Sequence, residues 1–180
     1  MRGSPPARLD RTCRLCRSRG LTLVEIMVTL TCMAIAMVII VPAFGDRSTD
    51  RLRGAAQMLI ADLEYAQSES RSHGDDPRVL VIESDKAGYH IATKSAPGTA
   101  VTNPIGAVPY ATRFGQGRAA ALGGVRVSSY ALGGDDQLGF AVLGQLDQTA
   151  AATLTLQCGS RSIVVTVDPT TGEASAGTVK

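Results

Sequence analysis

The chain has 180 residues, which is room for one modest domain plus a tail or an anchor. Aromatic residues make up 4% of it and Trp is absent, which argues against an aromatic stacking surface for nucleic acid. The net charge of +2 hides a split: residues 1–20 carry six Arg against Asp10, or +5, while the other 12 basic and 15 acidic side chains sum to −3. Once the basic stretch is removed, the body is mildly acidic and lacks the overall charge that holds a polyanion.

The N-terminal segment combines Arg2, Arg8, Arg11, Arg14, Arg17 and Arg19 with Cys13 and Cys16. The two cysteines have C-x-x-C spacing, but no second Cys or His pair lies nearby to complete a tetrahedral metal site. Cys32 falls in the apolar run that follows, which leaves Cys158 as the single cysteine of the remaining chain, with no partner for an intradomain disulfide.

Leu21 to Phe44 reads LTLVEIMVTLTCMAIAMVIIVPAF, with Glu25 its one charge. A helix of about 20 apolar residues at a 1.5 Å rise spans roughly 30 Å, the thickness of a bilayer core. It shows no polar stripe, so it belongs in a membrane or inside a protein bundle. The basic flank before it keeps the N-terminus cytoplasmic and sends the rest across. An ordinary signal peptide also starts basic and continues apolar, but this run is longer than a usual signal core and no A-x-A-like site follows it. The small residue Gly20 stands before the run instead. Cleavage there leaves the whole helix on the mature chain and a new α-amino group four residues from Glu25, able to offset a carboxylate that is otherwise expensive to bury.

Gly20-Leu21-Thr22-Leu23-Val24-Glu25 resembles the class III signal of type IV prepilins and type II secretion pseudopilins. The resemblance implies that a prepilin peptidase cuts between Gly20 and Leu21, that Leu21 is N-methylated, and that Glu25 guides assembly. Pro42 stands where such helices commonly carry a proline. Leu21 departs from the usual Phe at the first mature position.

After Pro42 an amphipathic helix is predicted over 46–73, with Leu52, Ala55, Leu59, Leu63 and Ala66 on one stripe and Arg53, Asp62 and Glu69 off it. Gly74 suits a C-cap position, and His73 is expected to be a helix-end cation. Strands are predicted at Arg78–Ser84 and Tyr89–Thr93 around an Asp85–Gly88 turn. Residues 95–124, rich in Gly, Pro and Ala without clear period, read as a long loop. Further strands are predicted at Val125–Tyr130, Leu138–Val142, Ala152–Cys158 and Ser162–Val167. Turns fall at Gly159-Ser160 and at Asp168–Gly172.

The C-terminal half is also similar to a family. Leu138-Gly139-Phe140, Gly144, Thr153–Leu156, Ile163–Val165 and Thr171-Gly172 resemble the domain shared by minor pseudopilin H of type II secretion and the FimT-type minor pilins (the GspH/FimT family). The implied fold is α+β: a long N-terminal helix, half transmembrane and half amphipathic, packed on an antiparallel sheet domain. The implied organisation is a cleaved leader at 1–20, a transmembrane or filament-core helix at 21–45 and a periplasmic pilin-like domain at 46–180. The implied function is that of a structural subunit of the type II secretion pseudopilus, single-pass in the inner membrane, whose partners are prepilin peptidase and other pseudopilin or pilin subunits. The alternative is a minor pilin acting in pilus assembly or DNA uptake.

No enzyme, cofactor or metal is expected. His73 and His90 are the only histidines, and no nucleophile-elbow serine lies near them. Asp75-Asp76 and Asp135-Asp136 lack the alternating oxygen ligands of a calcium loop. Gly115-Gln116-Gly117 lacks the Lys-Ser/Thr of a phosphate loop. DNA uptake would want a cation where Glu173 stands, which leaves Arg113, Arg118 and Arg126 as the residues able to form a patch.

Overall fold

The computed structural model describes residues 22–43, 47–104 and 106–180, with the side chains of the first segment described as far as Met37. The chain divides between Gly45 and Asp46 into two units. The first contains helix α1 (Leu23–Ala43). Gly20 and Leu21 lie outside the described residues.

The second unit opens with α2 (Ser48–Ser72), whose buried residues Leu52, Ala55, Ala56, Leu59, Leu63 and Ala66 form one continuous stripe. Its last bond runs from His73 N–H to Glu69 O, and His73 closes the helix at φ −124°. Gly74 has no positive φ, so the expected left-handed glycine cap is not formed.

Among the described residues nine strands follow, in two antiparallel sheets. The first contains β1 (Arg78–Ile82), β2 (Gly88–Thr93), β3 (Ala96–Ala100), β4 (Ala111–Arg113) and β6 (Gln137–Gly139), ordered β3-β2-β1-β6, with β4 also on β2. The second contains β5 (Val125–Ala131), β7 (Ala152–Cys158), β8 (Arg161–Val167) and β9 (Ala174–Ala176), ordered β5-β7-β8-β9. The second sheet is one-sided. In β7, Ala152, Leu154, Leu156 and Cys158 face inward, and opposite them in β8 lie Ile163, Val165 and Val167. α2 packs on both sheets, against β1, β7, β8 and β9. Among the described residues the buried hydrophobic core begins at Leu52, so this unit carries its own core. Each large side chain removed from water there contributes about 1.5–3 kcal/mol.

Two expectations about the elements are corrected, and one strand is added. The segment 95–124 is not a loop. It lays β3 and β4 along the free edge of β2, joins Thr102 to Pro109 by a bridge, and then forms a 3-10 helix at Gly117–Leu122. An uncovered edge leaves backbone groups wanting partners, and these strands supply them. Their residues are mostly exposed, so no hydrophobic alternation betrays them in the sequence. The strand expected at Leu138–Val142 stops at Gly139, because Phe140 bridges to Leu146 and the chain reverses between them. β9, which had no sequence signal, extends the second sheet after the Asp168–Gly172 turn.

Two glycines of that region are fixed by close approach. Gln67 on α2 donates to Gly144 O at 2.7 Å and to Thr171 O at 2.8 Å, tying two turns to the helix. Gly172 (φ 70°) lies against the Gly144 carbonyl and Gln67, and Gly144 (φ 88°) lies against the Arg71 guanidinium. A Cβ at either position would overlap those atoms.

Candidate functional site: the N-terminal helix and a buried carboxylate

α1 begins with a side-chain cap. Thr22 Oγ1 accepts the Glu25 N–H at 3.2 Å, and Thr22 O accepts the Ile26 N–H at 3.2 Å. Thr22-Leu23-Val24-Glu25 thus has the T-x-x-E spacing of a capping box, with the carboxylate in the first turn, where the helix dipole favours it. Thr29 and Thr31 return their hydroxyls to Ile26 O (2.9 Å) and Met27 O (2.7 Å), so neither needs an outside partner.

Leu23, Val24, Ile26, Met27, Val28, Leu30, Met33, Ile35 and Met37 are all 46–74% exposed. Apolar surface on every side of a helix calls for lipid or protein around it. Over the described residues alone, no helix is long and apolar enough to cross a membrane. The apolar sequence itself continues to Phe44.

The second feature is Asp62, which is 2% exposed. It was expected off the buried stripe of α2 and lies on it. Its carboxylate accepts Tyr89 Oη (2.8 Å), Tyr110 Oη (3.0 Å), Thr112 Oγ1 (3.2 Å) and Arg118 Nη1 (3.0 Å), and Arg118 Nη2 also reaches it. Tyr110 is sandwiched, stacked on Tyr65 at 4.8 Å and covered by the Arg118 guanidinium at 4.8 Å. One side chain of α2 therefore gathers β2, β4 and the 3-10 helix. Burial, then the Asp62 charge, raises the Tyr110 phenol, and the same causes push Tyr89 well above its ordinary range. For Arg118, burial is the largest influence and pulls downward, but the Asp62 hydrogen bond and charge outweigh it and the net movement is up. The sequence did carry a signal: Asp62 stands three residues after Leu59 and four before Ala66, in step with the stripe.

Among the described residues, no cluster of His, Cys, Asp and Glu is placed to hold a metal ion. Asp76 accepts Ser95 N–H (3.0 Å) and Oγ–H (2.7 Å), and the Ser95 hydroxyl is the main cause of its lowered pKa. Asp136 accepts the Tyr130 hydroxyl, and Asp135 accepts the Gln137 N–H at 3.2 Å. His90 Nε2 lies 2.9 Å from Pro97 O, and His73 Nδ1 lies 3.4 Å from a Glu69 oxygen. Cys158 is buried. Of the three arginines weighed as a DNA patch, Arg113 pairs with Glu83 and Asp85, and Arg118 is committed to Asp62.

Comparison with known proteins agrees with this two-part build. The family described as the prokaryotic N-terminal methylation motif matches residues 15–41. The type IV minor pilin FimU of Pseudomonas aeruginosa has a similar crystal structure: TM-score 0.52 at 16% identity, covering 71% of this chain and 89% of that one. A second crystal form of FimU aligns at TM-score 0.47 and 17% identity over 70% and 92% of the two chains. No curated protein sequence matches. The chain thus joins an N-terminal methylation motif to a domain whose fold, a helix on antiparallel sheets, is similar to that of a type IV minor pilin.

Proposed function

We propose that the chain is a minor structural subunit of a pilus-type filament, matured by prepilin peptidase and held in the inner membrane until it is assembled. The observation that carries this reading is the union in one chain of the methylation motif at 15–41 and the pilin fold. The peptidase cuts between Gly20 and Leu21 and methylates Leu21. The helix from Leu21 then anchors the chain by a single pass, with the domain from residue 46 on the periplasmic side, and later packs into the filament core. Glu25 meets the positive α-amino group of a mature N-terminus in surroundings where the pair is worth more than in water. The domain performs no catalysis and serves as a rigid contact surface for other subunits.

Of the two machines built from such subunits, the type II secretion pseudopilus is the first reading, and the C-terminal pattern from Leu138 to Gly172 is common to both. A minor pilin of a type IV pilus is the second, favoured by the likeness to FimU. Deleting the gene separates them: lost export of secreted enzymes with pili intact assigns the pseudopilus, and lost surface pili with normal secretion assigns the pilus. Mass spectrometry of the mature chain tests the shared reading. The expected N-terminus is methylated Leu21, and a start beyond Phe44 overturns it.

A further inference from the structure

We infer that residues 115–123 form a strap that lifts off α2 as a unit and lets water reach Asp62, with Arg118 as its latch. The strap carries the 3-10 helix Gly117–Leu122 between β4 and β5. Its two ends meet: a Cβ built on Gly115 would stand 3.3 Å from the Gly123 Cα. A segment that leaves and returns at one point can move outward while the strands on either side of it stay in place. Gly115 (φ 85°) and Gly124 (φ 87°) stand at its two feet, where the backbone turns most freely.

The seat of the strap is small. Ala119 and Leu122 are the buried residues of its helix, and Leu122 lies over Gly54 of α2, where a Cβ would stand 3.1 Å from Leu122 Cδ2. Gln116, Ala120 and Ala121 are exposed. The backbone bonds close locally: Gln116 N–H donates to Arg113 O at 3.1 Å, Ala119 N–H to Gln116 O at 2.9 Å and Gly115 N–H to Ala119 O at 2.9 Å. Two side-chain contacts tie the strap to α2. Arg51 Nη1 donates to Gly123 O at 3.0 Å, which holds a foot and not the middle. Arg118 holds the middle: Nη1 donates to Asp62 at 3.0 Å, Nη2 reaches the same carboxylate and Thr112 Oγ1, and the guanidinium covers the Tyr110 ring.

Opening strands no polar group. Asp62 keeps Tyr89 Oη, Tyr110 Oη and Thr112 Oγ1 as donors. All three belong to parts that stay in the first sheet: Tyr89 and Thr112 face each other across β2 and β4, and Tyr110 exchanges backbone bonds with Ile91 and Val101. Tyr110 also keeps its stack on Tyr65. Water fills the side of the carboxylate that Arg118 leaves, and the guanidinium passes into solvent, so neither charge is buried alone. The open state therefore loses one small apolar seat and one latch while both sheets remain paired, which makes it a local opening and not a step of global unfolding.

The test is hydrogen exchange read by mass spectrometry on the full-length chain in detergent micelles, over urea concentrations below the unfolding transition. A peptide spanning 115–123 is expected to exchange faster than β7 and β8 and at a rate unmoved by urea, because a local opening exposes little surface. β7 and β8 should speed up with urea along the slope of global unfolding. Arg118→Lys keeps the charge and loses the two-pronged contact, so its strap peptide should exchange about tenfold faster without urea and stay insensitive to it. A strap peptide in the native chain that is no faster than β7 and β8, or that follows their urea slope, overturns the inference, since the strap then opens only when the domain unfolds. Strap exchange unchanged in Arg118→Lys overturns Arg118 as the latch. Should that variant fail to fold, the urea comparison in the native chain decides alone.

Discussion

Asp62 shows how one polar side chain can organise a small domain. Five hydrogen bonds converge on a carboxylate that is almost wholly removed from water, and four of its five donors come from three other elements. Removing one member of such a set costs more than the set contributes over an apolar core, because the remaining groups stay buried without partners. Arg118→Ala should therefore destabilise the domain by about 2–4 kcal/mol, read from urea unfolding. Arg118→Lys should recover only part of this, since an ammonium cannot reproduce the two-pronged contact. Tyr89 adds a pH dependence. Burial first, and Asp62 second, raise its pKa, so the folded state holds the phenolic proton more tightly than the unfolded chain does. That contribution is fully present below about pH 10, the ordinary phenol value, and is lost as the pH rises through the higher folded value. The stability gap between the native chain and Tyr89→Phe should accordingly narrow above about pH 10; a constant gap would show that the phenol titrates normally.

Among the elements, α2 is the support on which both sheets rest. Leu59 is 1% exposed in the middle of its apolar stripe, and a carboxylate there has neither water nor a cation to meet. Leu59→Asp should abolish the cooperative unfolding transition; an unchanged melting curve would mean the helix face is misassigned. The other end of α2 is tied by Gln67 to the turns at Gly144 and Thr171. Gly172→Ala both strains a left-handed backbone and pushes a methyl group into the Gly144 carbonyl, so a loss of at least about 1 kcal/mol is expected. In α1, the Thr22 cap holds Glu25 in the first turn of the helix. Glu25→Ala should leave the melting of the domain untouched while reducing incorporation into filaments, measured by co-purification with partner subunits. Normal incorporation would reject the assembly role.

The whole molecule has two parts with different needs: an apolar helix exposed on every side and a domain with a closed core. The domain should be soluble and monomeric when produced from residue 46, and sedimentation of that fragment checks it. Its acid stability depends on turn carboxylates. The Asp168 pKa is lowered first by the Thr171 N–H and next by the Thr170 N–H, and that of Asp85 chiefly by the Ala87 N–H. A carboxylate with a lowered folded pKa lends stability above its unfolded value, near 4, and loses it as the pH falls through the folded one. Asp168→Asn should thus lower stability near neutrality and flatten the profile below about pH 4, where the variant converges with the native chain.

The sequence by itself determined the apolar helix with its single acid, the stripe of α2, and the alternating strands β1, β2, β5, β7 and β8. Each of these carries its own period, and the period reflects burial on one face. It also determined the family signature, because Gly20, Glu25 and the run after them are adjacent in the chain. Only the tertiary structure decided the rest. The strands of 95–124 exist because β2 offers an open edge, not because their residues favour extension. Gly144 and Gly172 are required by a meeting of two turns 28 residues apart in sequence. Asp62 finds its donors up to 56 residues away, on elements that pass close to it only after the sheet has formed. A local pattern reports which face of an element is buried, and it takes the assembled fold to decide what that face meets.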